Sequence, residues 1–327
     1  MIGRIRSLFR VVAVVSCLLL VALSQANGDG SKSDAQTQPV AKGQRVFTCG
    51  HSFHVWVVRI LSEMAKAASL DDHEVAGVSS IGGSRVIQHW DVPDEKNKAK
   101  EALRAAKVDV LTLSPIWLVP PKDLKAVTPV PGDTREIIWL PEEGIEKFAT
   151  LALEHNPNIR VTVQEYWLPN DEYVPVYPLQ TKKKVDHDAT NLAELRKNQT
   201  RYDHDVDEFV RSINKRLGKD VIVTVPVGQA VLALREKIVA GKAPGLKTQA
   251  ELFRDSWGHP TAPVQALATY CHFAVIYRRN PAGLPLPTIL AKNPDWDDKL
   301  NRLLQELAWE AVIHHPLSGV RVKHNAK

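Results

Sequence analysis

The chain has 327 residues, enough for one large domain with a substantial core. Its formal net charge is +5, and Arg4, Arg6 and Arg10 supply three of those charges at the very start. The remainder is nearly neutral, so the overall balance excludes charge as an argument for a nucleic-acid partner.

Those three arginines precede an apolar run over 11–23, broken only by Ser16 and Cys17, and Ser24-Gln25-Ala26 follows with small residues. This is the layout of a cleaved secretory signal peptide over 1–26. The run is shorter than the roughly 20 residues a bilayer-spanning helix needs. Export to the periplasm or the extracellular space is expected, with no stable membrane span after cleavage; the alternative is an uncleaved anchor. Residues 27–42 are polar without an apolar period and read as a flexible linker. One domain is expected over 43–327.

Within it, 45–49 (RVFTC) reads as a short strand closed by Gly50. Residues 53–68 have helical spacing, with Val55, Val58, Leu61, Met64 and Ala68 on one face. A second, weaker strand covers 75–78 and ends in a loop containing Gly82 and Gly83. A helix over 98–106 precedes a buried strand at 108–113 (VDVLTL), stopped by Ser114-Pro115. Another helix covers 142–154, and 159–163 (IRVTV) is a strand that runs into Gln164, Glu165, Tyr166 and Trp167. Residues 168–200 have little apolar period and read as an insertion over the sheet edge. An amphipathic helix over 201–217, a fifth strand at 221–225 (VIVTV) and helices near 228–240, 262–277 and 296–313 complete the chain.

Apolar strands alternating with helices predict an α/β fold: a three-layer α/β/α sandwich around a mainly parallel five-stranded sheet. Ligands in such sheets bind outside the carboxyl ends of the strands. The candidate site residues are therefore Ser52, Gly82 and Gly83, Ser114, Glu165 and Pro226.

Ser52 follows a strand and a glycine, where it can stand exposed as a nucleophile or simply cap the next helix. Asp255 and His259 lie four apart in a late loop before a helix. A carboxylate there can orient an imidazole that acts as general base. Taken singly, the first can be a loop residue or cap and the second a surface histidine. His54 is expected to pack on a helix surface. His89, a few residues past the glycine loop, is a candidate for lining a substrate pocket. Glu165 either binds substrate or makes a structural hydrogen bond. Trp167, with Tyr166, suits an aromatic wall for sugar faces or plain packing. His187, Asp203, His204 and Asp205 match no metal-ligand spacing, and neither CxxC nor HExxH occurs, so no metal is expected. Cys49 and Cys271 either pair or remain buried free thiols. His314-His315 reads as an exposed tail.

Gly50-His51-Ser52-Phe53, then Gly82-Gly83-Ser84, then Asp255 to His259 followed by Pro260 resemble, in order, blocks of the SGNH (GDSL-type) hydrolases, particularly secreted bacterial members. The likeness spans residues 45–284 and implies the family's flavodoxin-like fold. It implies Ser52 as nucleophile, His259 as base and Asp255 as its orienting acid, with the N–H groups of Ser52 and Gly83 in an oxyanion hole. There are three departures. His51 stands where the family has aspartate, and Asp255 and His259 are separated by one residue more than usual. Ser114-Pro115 replaces the third block's asparagine, so that either Ser114 substitutes as donor, another group moves in, or the protein is a weak or inactive relative; one missing donor typically costs a factor of about 10² to 10³ in rate. The implied function is a serine esterase, needing no cofactor, that removes short acyl groups (acetyl foremost) from a small ester or an acylated carbohydrate. The alternative is an inactive relative that binds a glycan or another small ligand.

Overall fold

The computed structural model of the chain describes residues 37–115, 143–171 and 185–322. The expected leader and most of the linker lie outside these, as do residues 172–184 of the expected insertion.

Five strands form one parallel sheet: β1 (Arg45–Gly50), β2 (Glu74–Ser80), β3 (Val110–Leu113), β4 (Arg160–Gln164) and β5 (Ile222–Val225), in the order β2-β1-β3-β4-β5. β1 pairs Val46 with Val110 and Cys49 with Leu113, and β3 pairs Leu113 with Val163. This is the flavodoxin-like order, with its switch point between β1 and β3. The step from β1 to β2 runs one way across the sheet and every later step runs back. Right-handed crossovers therefore put the first helix on one face and the next ones on the other.

The helices are α1 (Val57–Ala67), α2 (Val86–Trp90), α3 (Lys98–Arg104), α4 (Glu143–His155), α5 (Leu192–Leu217), α6 (Val227–Val239), α7 (Ala262–Tyr277) and α8 (Asp298–His314). α1 packs on α7, which packs on α8, while α2 and α3 pack on α4. α7 is buried from Pro263 to Tyr277 except at Gln265, so it is a core helix and not an amphipathic one. Among the described residues no helix is long and apolar enough to cross a membrane.

Four details differ from the sequence reading. α1 begins at Val57, because residues 52–56 form turns: the His51 carbonyl accepts from both His54 N–H (2.9 Å) and Val55 N–H (3.0 Å). α2 was not expected; at five residues it is too short to show a period. α5 begins at Leu192, so residues 192–200 belong to a helix and not to the insertion. The Asn191 side chain caps it by accepting from Ala193 N–H and Glu194 N–H, and Gly218 ends it at φ 66°. His315 is buried, not an exposed tail. Cys49 and Cys271 are both free and buried.

Candidate active site

The site forms at the carboxyl end of β1. Gly50 is the last residue of the strand, and a Cβ there would collide with Nδ1 of His54. Two residues on, the Ser52 hydroxyl lies 2.9 Å from Nε2 of His259, across 207 residues of sequence. Ser52 does not cap α1, which starts five residues later at Val57 without a side-chain cap. Its carbonyl accepts from the Trp56 indole (2.9 Å), while its own N–H has no partner among the described residues.

The loop from Asp255 to His259 is built around one carboxylate. Oδ1 of Asp255 accepts from Trp257 N–H (3.0 Å) and His259 N–H (3.2 Å), and Oδ2 accepts from Nδ1 of His259 (2.7 Å). Gly258, at φ +81°, takes the left-handed turn that absorbs the additional residue between acid and imidazole. The acid therefore reaches the ring without a second acid being needed. A carboxylate at Nδ1 keeps the ring proton on that nitrogen and leaves the Nε2 lone pair facing the Ser52 O–H. The side chains of His259 and Asp255 remain 28% and 41% exposed, so water reaches the pair.

Aromatic residues hold this loop. Phe53 stacks on His259 with ring centroids 4.6 Å apart, and packs on Tyr166 and Trp167 at 5.3 Å each. The Trp167 indole donates to Gly258 O (3.0 Å) and the Tyr166 hydroxyl to Trp257 O (3.2 Å). Trp167 is thus buried behind the loop and offers no face to a sugar, which corrects the substrate-binding expectation. A ring nitrogen of His187 lies 2.9 Å from Asp255 O and the other 3.0 Å from Pro169 O, so this histidine braces the loop from outside.

Three further expected residues are placed differently. His89 is buried and bonded through both ring nitrogens, to the hydroxyls of Ser79 and Ser84 (2.7 Å each), so it lines no open pocket. The Ser114 hydroxyl is buried, facing Nε2 of His51 (3.3 Å) and the Gln164 amide (3.4 Å) inside the core. Glu165 is fully buried; its Oε1 accepts from Gln229 (3.1 Å) and from Nε2 of His315 (3.1 Å). Burial pushes its carboxyl up to about 8, the Gln229 hydrogen bond pulling it down and nearby Asp207 pushing it further up. Glu165 therefore has a structural place, not a substrate-binding one. Gly83 holds φ +60° and already takes part in an interaction of its own.

The other histidines near the serine are held neutral by burial. Burial lowers His51 and His272 to about 3 and His89 to about 4, with His89 adding to the effect on His51; burial and then His272 hold His54 well below its usual value. His259 differs in having solvent access and a carboxylate partner. The sequence reading missed Gln164, His272, Trp56 and His187 as parts of this site. A histidine inside the otherwise apolar run of α7 was the available signal, because such a residue in a core helix needs a polar partner.

No family model matches the chain, and no curated protein matches it. Among solved structures it is similar to a DUF4886 family protein from Bacteroides uniformis ATCC 8492, at 14% identity over 86% of this chain and 98% of that one, with a TM-score of 0.48. It is also similar to a protein from Slackia heliotrinireducens assigned provisionally as an SGNH hydrolase, at 15% identity over 71% of this chain and 98% of that one, TM-score 0.41. A gut microbial diltiazem-metabolizing enzyme matches at 12% identity over 73% of this chain and 48% of that one, TM-score 0.36. These values describe a distant likeness in the course of the backbone and transfer no activity to this chain.

Proposed function

We propose that the chain is a serine hydrolase of carboxylic esters. The observation that carries this reading is the continuous chain of contacts from Ser52 Oγ through His259 to Asp255, 2.9 Å and 2.7 Å long. Both lie within the reach a nucleophile and its base require.

In the proposed reaction His259 Nε2 takes the Ser52 proton as Oγ attacks the ester carbonyl. Asp255 stabilises the imidazolium that results. The Ser52 N–H, free of partners among the described residues, donates to the oxygen that becomes negative. His259 then returns the proton to the departing alcohol, leaving an acyl-serine. Water enters on the exposed side of His259 and attacks the acyl carbonyl as it loses a proton to Nε2; the C–Oγ bond then breaks as His259 returns that proton to Ser52, releasing the acid.

The likeness of the three sequence blocks to SGNH hydrolases supports a short acyl group, acetyl foremost, carried on a small ester or a carbohydrate. The leader-like residues 1–26 support export to the periplasm or beyond; amino-terminal sequencing of the secreted protein tests this, and a mature chain starting at Met1 would contradict it. One observation favours a second reading, a ligand-binding protein without turnover: Ser114 stands where the family's asparagine donor is expected, and its hydroxyl is buried against His51 and Gln164. Hydrolysis of p-nitrophenyl acetate, lost in Ser52→Ala, separates the two readings. A wild type no faster than that variant would favour the binding protein.

A further inference from the structure

The residue before the nucleophile is a buried histidine, and the hydrogen bonds around it fix its protonation. Nδ1 of His51 accepts from Phe53 N–H (3.3 Å), so that nitrogen carries no proton. The ring proton is on Nε2, which faces the Ser114 hydroxyl at 3.3 Å. Gln164 donates from Nε2 to the Phe53 carbonyl (3.2 Å) and to the same hydroxyl (3.4 Å). A carbonyl only accepts, so the amide orientation is set and Oε1 points to Nε2 of His272 at 3.0 Å, which must donate. His51, Ser114, Gln164 and His272 are all at most 3% exposed.

The peptide linking Ser52 to Phe53 is held at both polar ends: its carbonyl by the Trp56 indole, its N–H by His51. The Phe53 carbonyl is held by Gln164, and the His51 carbonyl by the amides of His54 and Val55. The Ser52 N–H lies between these fixed groups and has no partner among the described residues. Phe53, clamped at both N–H and C=O, carries the ring on which His259 stacks.

We propose that His51 is a positioning residue for the nucleophile: as a neutral, Nε2-protonated imidazole tied through Ser114 and Gln164 to His272, it fixes the turn that aims the Ser52 N–H and seats the ring of His259. This rests on the reading of Ser52 as nucleophile. His51 touches no reacting atom, and its effect falls on the geometry of the charged intermediate. A misplacement of about 1 Å at such a site costs on the order of 10²-fold in rate.

The test compares wild type with His51→Asn and His51→Leu. Asparagine can keep an acceptor for Phe53 N–H and a donor toward Ser114; leucine keeps neither. Two readouts are taken on the full chain: amide hydrogen exchange across residues 51–55, and the second-order rate of labelling by a fluorophosphonate. His51→Leu is expected to exchange faster in this turn and to label about 10- to 100-fold more slowly, with the pH dependence of labelling unchanged in shape because His259 remains the base. His51→Asn is expected within about fivefold of wild type. Should His51→Leu fail to fold, Ser114→Ala replaces it, with a several-fold loss of labelling expected. A folded His51→Leu that labels within about twofold of wild type overturns the proposal, as does an asparagine variant as slow as the leucine one. A wild type that exchanges slowly in the turn yet does not label overturns the reading of Ser52 itself, an outcome the exchange data distinguish from failure of the clamp.

Discussion

Replacing Asp255 with asparagine changes one oxygen for one amide and forces a choice on the loop. The carboxylate now accepts three hydrogen bonds, two from backbone on Oδ1 and one from the ring on Oδ2. Asparagine has one acceptor oxygen. If that oxygen keeps the backbone pair, the amide N–H₂ faces Nδ1, the ring proton moves to Nε2, and no lone pair meets Ser52. If the amide flips, two backbone bonds worth about 0.5–1.5 kcal/mol each are lost and the loop loosens. The first arrangement is cheaper, so the wrong tautomer should dominate. In the serine protease triad the corresponding change lowers kcat by about 10⁴. Here the acid is 41% exposed, and water can satisfy part of the ring, so the expected loss is about 10² to 10⁴, or about 3–5 kcal/mol in the barrier. Steady-state hydrolysis of p-nitrophenyl acetate, with circular dichroism as a check on folding, measures it. A folded Asp255→Asn protein that keeps more than about a third of wild-type kcat would refute the orienting role.

Among single alanine variants of His51, His54, His89 and His259, the last should lose the most activity with the least change in thermal stability, since it alone of the four is not buried; the reverse ranking in paired kcat and melting measurements would overturn the choice of base. Gly50→Ala should destabilise the fold by about 1–3 kcal/mol, because its methyl group meets the buried His54 ring; urea denaturation showing no loss would mean the turn can shift freely. The carboxyl of Glu165 is raised to about 8, so above the ordinary carboxylate range the folded state holds a proton that the unfolded chain has lost, and stability falls as pH rises toward 8. His315, lowered to about 4 chiefly by burial, works the other way: stability rises with pH from about 4 until the unfolded imidazole has lost its proton near 6.5. Melting temperature should therefore decline between about pH 6.5 and 8 in wild type and decline less in Glu165→Gln; equal declines would remove Glu165 as the cause.

The sheet was legible because its central strands are largely apolar runs flanked by turn residues, as in the segment 108–113, with only β2 weaker, and because an alternating pattern of helices leaves few topologies. The pairing of Ser52 with a late acid and histidine was legible for a related reason: strand ends share one edge, however far apart in sequence. What strand order cannot convey is the direction of a side chain at that edge. Glu165 and Trp167 sit where expected along the chain and yet turn inward, one to Gln229 and His315, the other to Gly258. His89 was misread because α2 is too short to be recognised, and only that turn brings its ring between Ser79 and Ser84. The first turns of α5 hold just Leu192 and Leu195 as apolar anchors before residue 200, too few to separate a helix from a polar loop. Gln164 escaped notice because its role needs Phe53, Ser114 and His272 together, three partners more than 45 residues away in sequence.

The proposed activation of Ser52 by His259 is open to a covalent probe. The full chain is incubated with a fluorophosphonate and the adduct located by peptide mass spectrometry. A single adduct on Ser52 is expected, formed at least about 100-fold more slowly in His259→Ala. An unmodified Ser52, or an adduct formed equally fast without the imidazole, would contradict it.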